Sequence, residues 1–92
     1  FSQLALPGIG EVPISIAGDD GGLAHTIRAV GATTRALCAL EPGEQLGVRG
    51  PFGRGWPLDA MAGAPVTVIA GGIGLAPLRA RIAPRCPRAR AR

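Results

Sequence analysis

The stretch VTVIAGGIGLAPLRA, residues 66 to 80, constrains the fold more than any other part of the chain. A run of β-branched and small apolar residues stops at a glycine cluster and restarts as a short helical pattern. Val66, Val68 and Ile69 are expected to form a short buried strand, of the kind found inside a parallel sheet with both faces covered. Gly71, Gly72 and Gly74 then supply a loop. Lacking Cβ, they tolerate positive φ and let backbone N–H groups approach an anion closely. Ala76, Pro77 and Leu78 open a helix, with proline in the first turn, where its missing N–H removes no internal bond. Free N–H groups and the helix dipole would favour a phosphate there, and a nucleotide pyrophosphate is the natural ligand. A glycine turn between strand and helix can also be no more than a tight connection, so the rest of the chain must decide.

At 92 residues the chain is at most one small domain, burying only roughly 60 to 65% of its unfolded surface. Its hydrophobic content of 47% excludes a disordered chain. No apolar run reaches the about 20 residues of a bilayer span, so a soluble protein without membrane association is expected. The chain opens on Phe1 rather than methionine, in a segment without the basic start or cleavage site of a secretory signal, and a fragment of a longer protein is expected. Cys38 and Cys86 are too few and too far apart for a metal-ligand signature. Cys38 is expected as a small core residue, and the two thiols fit a reducing cytoplasm better than a disulfide scaffold.

The formal charge of +4 is unevenly placed. Arg79, Arg81, Arg85, Arg88, Arg90 and Arg92 lie beyond the glycine cluster, whereas residues 1 to 78 hold four arginines against six acids. A basic end can bind phosphate backbones nonspecifically, but this one has no aromatic residue on which bases could stack. A solvated end is the plainer reading, and nucleic acid is not expected as a partner. The stretch IAPRCPRARAR also breaks the helical period begun at Leu75 and is rich in proline. Residues 82–92 are therefore expected not to be native domain sequence.

Upstream, alternation predicts a strand over Phe1 to Leu6 ending at Pro7-Gly8. A second strand is predicted over Val12 to Ala17, with Ile14 and Ile16 on one face and Pro13, Ser15 and Ala17 on the other. Asp19, Asp20, Gly21 and Gly22 make a hairpin-type loop, and Leu23 to Val30 reads as a third strand. At Gly31 the period changes to a short helix opening at Thr33 or Thr34, capped by a threonine, with Leu37 and Leu40 packing inward. The same N–H groups and hydroxyls could instead hold a diphosphate. Pro42-Gly43 ends the helix, Gln45 to Arg49 is a fourth strand, and Trp56 anchors a glycine- and proline-punctuated connection. This change from antiparallel patterning to a parallel-sheet start places a boundary between about Leu58 and Pro65. Asp19 and Asp20 read as loop formers, and Arg49 and Arg54 as solvated loop arginines that could meet a phosphate. His25 has no acid or nucleophile at a recognisable spacing and reads as a packing or hydrogen-bonding residue before a flavin contact.

The segments PISI, VGATTRAL, LEPGEQLGVRGPFGRGWP and VIAGGIGLAPLR, in that order, resemble the flavin- and nicotinamide-binding core of the ferredoxin reductase superfamily over residues 1 to about 81. The likeness is greatest to its electron-transfer subunits, typified by the gamma subunit of cytosolic sulfhydrogenases, the anaerobic sulfite reductase B subunit and the electron-transfer subunit of dihydroorotate dehydrogenase. The resemblance implies a mainly β fold with an α/β start. Residues 1–58 would be the C-terminal part of an antiparallel FAD-binding barrel with one short helix, and 59–65 a linker. Residues 66–81 would be the first strand, loop and helix of a Rossmann-like NAD(P)-binding domain.

It also implies roles. Pro13, Ile14, Ser15 and Ile16 would lie against the flavin ring and ribityl chain, with Ser15 hydrogen-bonding near the reactive N5. Thr26, Ile27 and Arg28 would hold the FAD diphosphate region, Gly31, Thr33 and Thr34 the pyrophosphate, and Gly71, Gly72, Gly74 and Pro77 would underlie NAD(P)H. The implied reaction passes hydride from NAD(P)H to FAD and electrons onward to an iron–sulfur, hydrogenase or reductase subunit in a hetero-oligomer. Three departures qualify the match. Val12 stands where many members carry an arginine for the FAD phosphate, a load that would pass to Arg28. The cysteine cluster that holds a [2Fe–2S] centre in the subfamilies named is absent from the sequence, as are the first barrel strands and most of the nicotinamide domain. A barrel with exposed strand edges is therefore expected. The alternative is a noncatalytic truncated module with residual nucleotide or subunit binding.

Overall fold

The computed structural model describes residues 1–18 and 21–82. Strand β1 (Ser2–Leu6) is the centre of a three-stranded antiparallel sheet, flanked by β2 (Gly10–Ile14) on one side and β5 (Gly47–Arg49) on the other. Its alternation works as expected: Ser2, Leu4 and Leu6 are buried, and Gln3 and Ala5 face the other way. A turn in which Gly8 adopts φ +78° returns the chain into β2 (Gly10–Ile14), a backbone state that glycine enters without a Cβ penalty. Strand β5 (Gly47–Arg49) closes on the other edge of β1, pairing Gln3 with Arg49 and Leu4 with Val48.

The expected strands Val12 to Ala17, Leu23 to Val30 and Gln45 to Arg49 are shorter than the pattern suggested, the last reduced to β5. The run Val12 to Ala17 divides at Ser15, because Ile14 pairs with Ser2 in the first sheet whereas Ile16 pairs with His25 in a second one. The second sheet is a two-stranded ribbon of β3 (Ile16–Gly18) and β4 (Ala24–His25). Of the predicted strand Leu23 to Val30, only β4 finds a partner, and Thr26 to Val30 forms no ladder. The expected loop aspartates Asp19 and Asp20 lie outside the described residues, as do Cys86 and the arginine-rich end from residue 83.

Helix α1 (Ala32–Cys38) covers the three-stranded sheet. Leu37 joins Leu4 and Leu6 in the core, with Val12, Ile14, Ile27, Ala36 and Leu40 packed around them. The helix starts ahead of either threonine, with Gly31 as its N-cap residue. Thr34, in the third helical position, reaches backward: its hydroxyl accepts the N–H groups of Val30 and Gly31, each at 2.9 Å, and donates to the Gly31 carbonyl at 3.2 Å. This is the reverse half of a capping box, with a threonine where Glu or Gln is usual. Cys38 is exposed, not in the core. One position past the inward-facing Leu37 it is turned by about 100° around the helix, and its thiol lies 3.7 Å from the Ile27 carbonyl.

Beyond Gly50 the chain folds back on its own beginning. Phe1 and Phe52 exchange backbone hydrogen bonds at 2.7 and 2.8 Å, and their rings lie 5.7 Å apart. The pairs Gln3 with Arg49 and Phe1 with Phe52 leave one more residue on the second strand than on the first, as in a β-bulge. The connection then passes through the short helix α2 (Leu58–Met61) and an irregular segment to a 3₁₀ turn (Gly72–Leu75) and helix α3 (Ala76–Ile82).

The strand expected over Val66, Val68 and Ile69 does not form. That segment is irregular and exposed, Ile69 to 89%. A parallel-sheet strand takes both its ladder bonds and its cover from neighbours, and no strand among the described residues pairs with it. The result is a mainly β structure with short helices and open antiparallel sheets, in which β2 and β5 are edge strands.

Candidate functional site

The segment Pro13 to Ile16 sits where the chain leaves one sheet for the other. Ile14 and Ile16 are half-buried, Ile14 against the leucine core, and Pro13 before them and Ser15 between them are exposed. Pairing of Ile16 with His25 sets Thr26, Ile27 and Arg28 just beyond this segment. There Ile27 packs toward Leu37, while Thr26 and Arg28 are exposed. The exposed groups offered by these two segments are thus two hydroxyls and a guanidinium.

The third segment is the start of α1. The Thr33 hydroxyl oxygen packs against Gly10, where a Cβ would come within 2.6 Å of it. Thr34 is buried and its hydroxyl is fully engaged with the backbone of Val30 and Gly31. What this corner presents outward is therefore backbone N–H, since the first internal bond of α1 is that from the Arg35 N–H to the Gly31 carbonyl.

Gly71, Gly72 and Gly74 are exposed, and the turn they form leads into α3, which packs on β3. Ala17 on β3 and Ala76 on α3 are both buried, at 2% and 9% exposure. Pro77 is half-buried, and its carbonyl accepts the Trp56 indole N–H at 3.4 Å. Trp56 therefore fastens the connection to the first turn of α3. Strand β3 is what brings the glycine segment to the strand run that contains Ser15.

Arg49 is committed elsewhere. Its guanidinium reaches over β1 to Glu11, with Nε and Nη2 both 2.8 Å from Oε1, and it stands 5.8 Å from the Phe52 ring centroid. Half-exposed pairs of this kind contribute about 0.2–1 kcal/mol. Sequence reasoning passed over this clasp, the Gly10–Thr33 contact and the seat of α3 on β3, where Ala17 and Ala76 are buried. Two alanines carry no compositional signal, and the Glu11–Arg49 pair depends on a register of strands far apart in sequence. A shallow groove at the β1–β2 turn, lined by Pro7, Ile9 and Glu11 among others, shares no residue with the expected site. Among the described residues no group of three or more His, Cys, Asp and Glu side chains could hold a metal, and no helix is long and apolar enough to cross a membrane.

His25 is half-buried, and its Nε2 has no hydrogen-bond partner among the described residues. Burial, and secondarily the Phe1 ammonium, hold its imidazole below the ordinary 6.5. Between that depressed value and 6.5 the unfolded chain binds more protons than the folded one, so stability rises with pH across this window and is level above it. The urea midpoint is expected to be the same at pH 8 and pH 7.5 and lower at pH 5.5. In His25→Gln this particular drop is expected to disappear, and an unaltered drop would assign the acid sensitivity to other groups.

The chain is 45% identical over 82 residues to the sulfhydrogenase 1 gamma subunit of Pyrococcus furiosus, covering 86% of the chain and 28% of that relative. It is 40% identical over 78 residues to a probable dihydroorotate dehydrogenase B (NAD(+)) electron transfer subunit of Methanocella arvoryzae, covering 85% of the chain and 28% of the relative. The chain is a homologue of these subunits. A second Pyrococcus furiosus protein, the sulfhydrogenase 2 gamma subunit, is 41% identical over 81 residues at the same 28% coverage. The homology runs through nearly all of this chain and spans a little over a quarter of the length of its relatives. No protein-family profile and no solved structure matches it.

Proposed function

We propose that the chain carries the flavin-contacting core and the first nicotinamide-binding turn of an FAD- and NAD(P)H-dependent electron-transfer subunit. The single observation that carries this reading is the packing of α3 on β3, which sets the glycine segment beside the strand run containing Ser15, in a chain homologous to electron-transfer subunits. When bound, the flavin supplies a two-electron acceptor for the nicotinamide hydride and a one-electron donor to an iron–sulfur partner.

The chain's own residues bind and orient. Pro13 and the backbone of Ile14 and Ile16 form a flat edge for a ring, and the exposed Ser15 hydroxyl donates a hydrogen bond to a ring nitrogen. Arg28 neutralises a diphosphate, with the Thr26 hydroxyl and the N–H groups of Ala32 and Thr33, just past Gly31, as further donors. Thr34 positions that corner through its bonds to Val30 and Gly31 and leaves direct contact to Thr33. Gly71, Gly72, Gly74 and Pro77 lie under the nicotinamide nucleotide. On this reading residues 1–58 belong to a flavin domain and 66–81 begin a Rossmann-like one. The partners are iron–sulfur, hydrogenase or reductase subunits, in the cytoplasm.

The test is reconstitution. Protein incubated with FAD and freed of excess is expected to keep a flavin spectrum that NADH or NADPH bleaches anaerobically. Arg28→Ala is expected to weaken FAD binding about tenfold, the scale of one lost charge-assisted contact. Colourless protein that takes up no FAD would reject the proposal in favour of a noncatalytic module.

A further inference from the structure

The glycine segment has a narrow attachment. Among residues 62–79 only Ala76 is buried, and only its neighbours Pro77 and Leu78 are half-buried. Around them Val66, Val68, Ile69, Ile73 and Leu75 are 39% to 89% exposed. What holds the segment to the rest of the molecule is therefore the seat of α3 on β3, with the Trp56–Pro77 hydrogen bond beside it.

On β3 the matching residue is Ala17, 2% exposed. It stands at the register irregularity between Ile16 and Gly18, on the strand against which α3 packs. A methyl group at this position lets a helix approach the strand closely. With Ala17 enclosed at 2% exposure, a larger side chain must be accommodated inside the contact, and close-packed contacts take added methylenes by moving apart.

We propose that Ala17 is a positioning residue: its small side chain sets how closely α3, and with it the Gly71–Gly74 turn, sits to the strand run bearing Ser15. Its consequence for hydride transfer rests on the function proposed above; the seat itself does not. A shift of about 1 Å between reacting groups can cost two orders of magnitude in rate, so one side chain away from both cofactors can govern their alignment.

Trp56 is the sole tryptophan of the chain, and its bond to Pro77 makes its fluorescence a report on the seat. The experiment compares the wild-type chain with Ala17→Leu and Ala17→Ser by acrylamide quenching of Trp56, by FAD titration, and by the anaerobic rate of flavin reduction at saturating NADH. Ala17→Leu is expected to raise the quenching constant at least twofold and slow reduction at least tenfold while FAD affinity stays within twofold, and Ala17→Ser to keep all three near wild type. Unchanged quenching in Ala17→Leu overturns the proposal, and so does loss of FAD affinity in step with the rate, which marks a merely structural role. If the wild-type chain takes up no FAD, or takes it up and is not reduced by NADH, the functional reading fails, and the quenching comparison still decides the seat.

Discussion

Leu37→Ala is expected to destabilise the chain by about 2–5 kcal/mol, the range for a truncated buried leucine whose surroundings collapse only in part. Leu37 is 6% exposed and is the residue through which α1 reaches the Leu4 and Leu6 pair. Whole domains hold only about 5–15 kcal/mol, and a chain this short belongs at the low end, so the variant would lose most of its stability. The far-UV circular dichroism midpoint in urea measures the effect. Because α1 presents Gly31 and Thr33, FAD affinity should fall with it. A shift below about 1 kcal/mol would mean that α1 is not seated on the sheet through Leu37.

Gly50→Ala should be the most damaging change outside the core. Gly50 has φ +131°, and a Cβ there would lie 3.2 Å from the Phe1 carbonyl oxygen and 3.3 Å from the Phe52 nitrogen. Both atoms are backbone, and both belong to the exchange that joins Phe1 to Phe52, so neither can swing aside as a side chain would. Strained backbone alone costs about 1–3 kcal/mol for a non-glycine residue, before the clash is counted. The same denaturation experiment should place Gly50→Ala well below Gly55→Ala, whose Cβ would meet nothing within 4 Å. Equal midpoints would show that the Phe1–Phe52 pairing does not persist in solution.

Legibility in the sequence followed the range of the interactions. The alternation of Ser2, Leu4 and Leu6 and the inward turn of Leu37 depend on spacing within one element, and both were readable. The division of Val12 to Ala17 at Ser15 was not, because it depends on Ile14 and Ile16 taking different partners. Val66, Val68 and Ile69 show the opposite limit: β-branched residues favour a strand only where a sheet receives them, and here they remain exposed. Among candidate site residues, Ser15, Thr26 and Arg28 are exposed, as their places on alternating segments allow. The threonine pair is different. Sequence could not say which of Thr33 and Thr34 is consumed by the helix start, since that depends on the helix opening at Ala32.

The extra residue between Arg49 and Phe52 decides the parity of everything beyond it. Were Phe1 paired with Pro51, in step with Gln3 and Arg49, Phe52 would fall on the side of Ser2 and Leu4. Its ring would then share the face of Leu4 and Val48, away from Phe1 and Arg49. With the offset, the ring stays outside, against Phe1 and under the Arg49 guanidinium. The length of this short corner is thus fixed to the single residue: adding or removing one would carry the ring to the other face of the sheet and break its contacts with Phe1 and Arg49, whatever the composition of the corner.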